Sequence, residues 1–412
     1  MIIIKKIGRN DTCLCGNGKK YKHCCLLTKE AKEQEQRNKK RLSLFDEFLF
    51  IQDPRDNRGK RYLLMDLLIM VIYGLLNGKS DFENIAYFLK LKEKYFKKLL
   101  KIEKTPSHDC LSDLFAVIDP KEFMDVFVEW IKNQIEKKTG YIVAIDGKAT
   151  KSARDKIKGE NTPYILSAYL SEIGISVGQL KTGKKSNEIT AIPDLLKIID
   201  VAGNYITIDA IGTQENIANT IVGLGGHFVL KVKDNQKNLH DDLKIYFEET
   251  NKEEIKTHIT EKEKNHGRIE QREYYLSNNV ACIRSKKKWK SVNAIGMIRV
   301  YRQVGEKLTV EEQYYIMDDT IDINMFIKTT RSHWNIECGL HWRLDVILNE
   351  DHSRNRVGHS ISNLSTIRKI VFNLIKLDKS LGNISFNKKL THYQDNLALI
   401  ENLLFNIIPE VA

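Results

Sequence analysis

No stretch of this sequence is both long enough and apolar enough to cross a membrane. The most apolar segment, YLLMDLLIMVIYGLLNG over residues 62–78, is short for a span and carries Asp66. It is expected as a buried core helix, and no membrane partner is expected. A secretory leader is missing as well: MIIIKKIGRN offers four apolar residues before charges intervene, so a cytoplasmic location is expected. Nor is there a disulfide framework. The seven cysteines are odd in number and four of them crowd residues 13–25, which suits a reducing compartment and a metal site. Acidic residues are in the minority, with 54 Asp and Glu against 66 Lys and Arg, giving a net charge of +12 and a pI near 9.1. Basic surface is the sequence-independent part of nucleic-acid binding, so the balance points toward a polyanionic partner. At 412 residues, 42% hydrophobic and with a mean hydropathy of −0.38, the chain is long enough for two or three domains with sizeable cores.

Residues 8–25 read GRNDTCLCGNGKKYKHCC. Cys13 and Cys15 lie one residue apart, and Cys24 and Cys25 are adjacent after an eight-residue loop. Four thiolates gathered by a short glycine-containing loop can close a tetrahedral zinc site, and His23 could replace one of them. The metal would supply folding energy that so small a unit lacks. The stretch resembles the SEC-C motif, and by that resemblance Cys13, Cys15, Cys24 and Cys25 are the Zn²⁺ ligands of a module over residues 1–27. Residues 28–41 are expected to be a polar linker or a solvated helix, with a basic end.

Over 42–138, apolar residues recur at three- and four-residue spacing between turn signals at Asp53-Pro54, Asn77-Gly78, Pro106-Ser107 and Asp119-Pro120. An all-helical domain is expected there. The segments at 81–90 and 107–117 suit a helix-turn-helix, and KLKEKYFKKLLKIEK between them is strongly basic, so DNA binding is one role for this domain. A solvated helix on a structural bundle is the other.

From YIVAIDGKAT (141–150) onward the texture is α/β. YIVAID is a strand, TPYILSAYLSE and GISVGQLKTG are two more, and NYITIDA and HFVLKVKD each follow an amphipathic helix. Three meander strands followed by two helix–strand units form a mixed sheet. Its first and fourth strands end in Asp146 and Asp209. Alone, Asp146 reads first as a turn cap, with a metal-binding acid at a sheet rim as the second reading. If the two strands are neighbours, however, their carboxylates stand close, and such a pair is stable mainly with a divalent cation between them. A β-rich insertion is expected at about 238–320, then a helix from about Ile321 to Val346. On it His333, Glu337 and His341 are spaced by four and line one face. They could hold zinc, form a hydrogen-bonded stripe, or let Glu337 complete a carboxylate triad. In the tail, SNLSTIRKIVFNLIKL is a basic amphipathic helix expected to pack on the core, and DNLALIENLLFNII a packing or self-association helix.

Taken together, AIDGKATKSA, KKSNEITAIPDLL, ITIDAIGTQ, VLKVKDNQKNL, HGRIEQREY, RSHWNIECGLHWRLDV and NEDHSRNR resemble the DDE transposases of bacterial insertion sequences, from about residue 42 to 378. The nearest branch includes the H-repeat-associated proteins. The resemblance implies a ribonuclease-H-like α/β domain over 139–378, with the β-rich insertion ahead of its last catalytic helix and a helical tail at 379–412. It implies binding of terminal inverted repeats, with Mg²⁺-dependent cleavage and strand transfer. Two Mg²⁺ (or Mn²⁺) ions would be held by Asp146, which bridges them, Asp209 and Glu337. Partners would be double-stranded DNA, as transposon ends and as target, and a second copy of the chain on that DNA. A catalytically inactive DNA-binding regulator and a nuclease that does not join strands are the alternatives.

Lys148, Lys181, Lys184, Lys231, Lys233 and Lys237 flank the acids and are expected to meet phosphates, with Ser186, Asn187, Asn235 and Gln236 as uncharged contacts. Arg268 and Arg272 are candidate contacts to end DNA in the insertion. Related transposases place Tyr, Arg and Lys around the Glu where this chain has Thr330, His333 and Leu344; Arg331, His333 and Arg343 could take some of those roles. Glu188 is a candidate fourth acid. Asp345, Glu350 and Asp351 are expected to be structural, or rivals to Glu337. Trp334 and Trp342 are expected to be buried, with stacking on a displaced base as the alternative.

Overall fold

The computed structural model describes residues 44–405 apart from 59, 136–137, 151–161, 183–187, 252–254, 266, 320 and 395. The zinc module with Cys13, Cys15, Cys24 and Cys25, the linker, and Lys184, Ser186 and Asn187 lie outside the described residues.

Helices come first: α1 (Leu44–Phe48), α2 (Leu64–Leu76), α3 (Phe82–Leu91), α4 (Glu93–Leu100), α5 (His108–Val117) and α6 (Pro120–Gln134). Their starts are written locally. Asp81, Ser107 and Asp119 accept hydrogen bonds from the backbone of the first turns of α3, α5 and α6, and Pro120 opens α6. The apolar α2 is buried almost throughout, as expected of a core helix. In α4 only Phe96 is buried, while Lys94, Lys97 and Lys98 face solvent.

The sheet begins with an antiparallel meander, β1 (Ile142–Ala149), β2 (Tyr164–Leu170) and β3 (Ile175–Thr182); Gly174, at φ 78°, makes the tight turn before β3. After α7 (Glu188–Ile198), β4 (Tyr205–Ile208) lies parallel to β1. After α8 (Glu215–Gly223), β5 (His227–Val232) lies parallel to β4. Next come α9 (Lys237–Glu249), β6 (Lys256–Ile259), β7 (Glu263–Asn265), β8 (Arg268–Ser277), β9 (Ala294–Val304) and β10 (Lys307–Met317). The stretch expected as a β-rich insertion thus opens with a helix. Its strands also extend the first sheet, because β10 pairs antiparallel with β5. The result is one ten-stranded sheet in the order β3-β2-β1-β4-β5-β10-β9-β8-β6, with β7 paired to β8.

Helix α10 (Ile323–Ile336), capped by Asp322, lies across β1, β4 and β8. Phe326 fixes it to the insertion strands. A Cβ on Gly296 would come within 2.5 Å of this ring, and Tyr274 and Tyr315 meet it edge-on at 6.0 and 5.5 Å. The chain closes with α11 (Ser360–Leu377), α12 (Phe386–Gln394) and α13 (Leu397–Phe405). The amphipathic reading of α11 is corrected, since every residue from Ser360 to Ile375 is buried. Its polar groups find partners inside. Arg368 donates to the Ser80 carbonyl at 2.8 Å, Lys369 to Gln179 Oε1 at 2.6 Å, and Asn363 to the carbonyls of Phe115 and Ile118 at 2.9 and 3.0 Å. Through α11 the helical region and the sheet share one apolar core.

Phe326→Ala should destabilise the protein by roughly 3–5 kcal/mol in urea unfolding, the range for emptying a packed aromatic site. A loss below about 1 kcal/mol would show that the ring does not anchor α10.

Candidate active site

The last parallel pair between β1 and β4 sets Ile145 opposite Ile208. Asp146 and Asp209 come next, so the sheet brings the two acids side by side at the C-terminal ends of parallel strands, where open α/β sheets bind ligands. One detail differs from expectation. Asp146 does not end its strand, because β1 continues to Ala149 in register with β2. Asp209 instead performs the capping role, accepting a hydrogen bond from Ile211 N at 3.1 Å over the turn Ala210–Gly212.

The helix carrying Glu337 changes character at that residue. It winds as π-helix over Glu337–His341 and again over Arg343–Ile347. Each wider turn breaks the four-residue periodicity, so Glu337 emerges exposed while His341 is buried. Gly339 lets the turn press on β2, since a Cβ there would come 2.5 Å from Tyr169 Oη. Burial, and then the charge of Asp209, raises the Glu337 pKa. The two histidines of the stripe are neutral. Burial pushes His333 down to about 4 against the pull of Asp209, and pushes His341 to about 3 with help from Lys148. His341 Nδ1 lies 3.4 Å from Asp146 Oδ2.

Among the described residues no group of three or more His, Cys, Asp or Glu side chains is gathered closely enough to hold a metal ion. The two-His, one-Glu zinc site is therefore not assembled, and Asp146, Asp209 and Glu337 do not converge on one point. Their chemistry nonetheless fits a hard divalent cation such as Mg²⁺ or Mn²⁺. All donors are carboxylate oxygens, and the repulsion between Asp209 and Glu337 is what a cation would offset.

Asp209 and Glu337 open onto a cleft of about 960 Å³ whose other walls carry Lys231, Lys233, Arg268, Arg272, Arg302 and Arg331. Burial and then Lys233 lower the pKa of Lys231; Lys233 is exposed. The arginines are held by carboxylates of the insertion. Arg272 donates to Glu270 at 2.5 Å, Arg268 lies 3.4 Å from the same residue, and Arg331 grips Glu263 with two bonds of 3.0 and 3.3 Å.

Other expected contacts lie elsewhere. Lys148 is turned inward, only 13% exposed, and paired with Asp345 and Glu350. Asn235 donates to the Ala210 carbonyl at 2.7 Å and Gln236 to that of Thr213 at 3.0 Å, bracing the loop after Asp209. Arg343 donates to the Gly339 carbonyl at 2.6 Å within the π segment. Thr330 bonds the Phe326 carbonyl and Leu344 is buried. Lys181 lines a separate small pocket beside α6, and Lys237 is exposed at the start of α9. Glu188 is buried under Gly147, where a Cβ would clash with it. Neighbouring strand residues point to opposite faces, so Glu188 lies across β1 from the Asp146 side chain. Tyr164 stands near these acids, its phenol pushed up to about 12 by burial and then by the charges of Glu188, Asp146 and Asp209. The expectation of buried tryptophans is overturned: Trp334 is 61% and Trp342 49% exposed, on either side of Glu337 in sequence. Sequence reading also missed the π turns and Tyr164; Gly339 beside Glu337 was the visible hint of the former.

Residues 130–374 match the family described as Transposase DDE domain, 45–131 match DDE_Tnp_1-associated, and 9–27 match the SEC-C motif. The chain is 33% identical over 354 residues to "Putative transposase YncI" of Escherichia coli O157:H7, covering 84% of this chain and 91% of that protein. It is 31% identical over 344 residues to "H repeat-associated putative transposase YhhI" of E. coli K12, covering 82% and 91%. Among solved structures it is similar to the piggyBac transposase in a synaptic complex with hairpin DNA, at a TM-score of 0.42 and 11% identity, over 87% of this chain and 76% of that one. The chain belongs to the DDE transposase family and carries a SEC-C motif ahead of its DDE domain.

Proposed function

We propose that the protein binds the terminal inverted repeats of an insertion sequence, cleaves DNA at those ends with divalent cations, and joins the freed strands to a target. The observation that carries this reading is the pairing of β1 with β4, which seats Asp146 beside Asp209 near a cleft that also receives Glu337 and a basic wall. Sheet order and the position of the insertion before α10 support a ribonuclease-H-like catalytic domain. Asp146 would contact both of two Mg²⁺ or Mn²⁺ ions, Asp209 one and Glu337 the other. Such cations, when bound, act as Lewis acids on the attacking and leaving oxygens of a phosphodiester. Glu337 must be ionised to serve; burial and the charge of Asp209 work against that, and a bound cation would offset both. Lys231 and Lys233 draw the phosphate backbone toward the acids, and Arg268, Arg272 and Arg331 extend that surface along the insertion. The exposed lysines of α4 suit further DNA contact by the helical region. Two ends must be brought together, which supports a homodimer on DNA. Zn²⁺ on Cys13, Cys15, Cys24 and Cys25 would order the N-terminal module, and the protein would act in the cytoplasm.

Purified protein incubated with Mg²⁺, DNA carrying the element's terminal repeats and a target should give joined products. Asp146→Asn, Asp209→Asn or Glu337→Gln should each lower the rate by roughly three orders of magnitude or more while end binding persists. Cleavage without joining would favour the nuclease, and end binding without cleavage the regulator. Separately, Lys231→Ala and Lys233→Ala should each weaken end binding and reduce the slope of log affinity against log salt by about 1. An unchanged slope in a filter-binding series would remove these lysines from the phosphate contacts.

A further inference from the structure

We propose that Lys148 is a positioning residue: with Glu350 and Asp345 it forms a buried clamp that fixes the helix bearing Glu337 against the strand bearing Asp146. This rests on reading those acids as the reaction site. Lys148 follows Asp146 by two residues in β1, so both side chains leave the same face of the sheet. Its ammonium, enclosed within the protein, donates to Asp345 Oδ1 and to Glu350 Oε2 at 2.9 Å, with Asp351 Oδ1 at 3.9 Å. Asp345 stands in the second π turn beyond Glu337, and Glu350 opens the short turn Glu350–His352 that follows it. Asn349 enters that turn with φ 52°, a left-handed conformation that asparagine adopts readily.

The clamp has a second layer. Glu350 is 5% exposed; burial works against its charge, but Lys148, Lys369 and Arg368 outweigh burial and hold its carboxyl below the ordinary range. Asp345 is raised instead, by burial first, even though Lys148 lowers it. Both carboxylates face the Lys148 ammonium inside the protein. Lys369 and Arg368 belong to α11, so the clamp is tied to the helix that joins the two halves of the core. His341 completes the link, with Nδ1 against Asp146 and its ring near Lys148.

Glu337 thus hangs between two fixed points. Phe326 and Ile336 pin α10 before it, and the Lys148 ion pairs pin the chain beyond it. A change in the winding of the intervening π turns would rotate Glu337 relative to the clamp. A charged pair buried here contributes register rather than phosphate binding.

The test uses full-length protein as wild type, Lys148→Met, Lys148→Arg, and the double variant Lys148→Met/Glu350→Gln, which removes both charges at once. Three readouts are compared: binding of terminal-repeat duplex in Ca²⁺, the Mn²⁺-dependent rise in thermal midpoint without DNA, and the cleavage rate. In Lys148→Met and the double variant, end binding should persist. The Mn²⁺ concentration for the half-maximal midpoint shift should rise about tenfold or more, as for loss of an outer-shell partner. Cleavage should fall about a hundredfold, the cost of a misplaced group. Lys148→Arg should recover part of both. A wild-type Mn²⁺ response with wild-type cleavage in Lys148→Met overturns the clamp. Loss of end binding with an intact Mn²⁺ response makes Lys148 a phosphate contact instead. If the wild type responds to Mn²⁺ but does not cleave, the transposase reading fails while the Mn²⁺ comparison still judges the clamp. A wild type with no Mn²⁺ response overturns the clamp's premise.

Discussion

Parallel pairing of β1 with β4 is the constraint on which the rest of this molecule depends. Ile142, Val143, Ala144 and Ile145 on one strand and Ile206 and Ile208 on the other are buried in the middle of the sheet. A one-residue slip would turn every one of these side chains to the wrong face, so the register is held by the whole core. That register delivers Asp146 and Asp209 to neighbouring positions whether or not their charges agree.

The third acid is held by different physics. Glu337 comes from a helix laid across the sheet, and its direction depends on two π turns, on Gly339 against Tyr169, and on the ion pairs of Lys148. Two acids are thus placed by strand register and one by helix winding. The basic side of the cleft has its own internal order. Arg331 with Glu263, and Arg272 with Glu270, are paired before any ligand arrives, so a phosphate backbone would compete with carboxylates for these guanidinium groups.

Much of this was legible in the sequence because the signals are local. Alternation and β-branched residues mark YIVAID and NYITID as strands and helix starts carry their caps, whereas the pairing of β1 with β4 comes from the fold. What was not legible depends on residues far apart in the chain. Lys148 reads as a rim lysine until Asp345 and Glu350, 197 and 202 residues later, are folded against it. Nothing near Val232 announces that β5 will accept β10 and carry the insertion onward as one sheet. The basic residues of α11 look solvent-facing because their partners, Ser80 and Gln179, come from other elements. Trp334 and Trp342 read as core because burial is the usual fate of large aromatics, yet both sit on the open side of the wound segment.

The proposed cation-binding site joins Asp146, Asp209 and Glu337 at the end of the β1–β4 pair. Its most direct test is anomalous diffraction from crystals of the protein with terminal-repeat DNA, grown or soaked in Mn²⁺. Two anomalous peaks that share Asp146 are expected, one also touching Asp209 and the other Glu337. Peaks that avoid Asp146, or Mn²⁺ bound elsewhere with these three carboxylates unengaged, would contradict it.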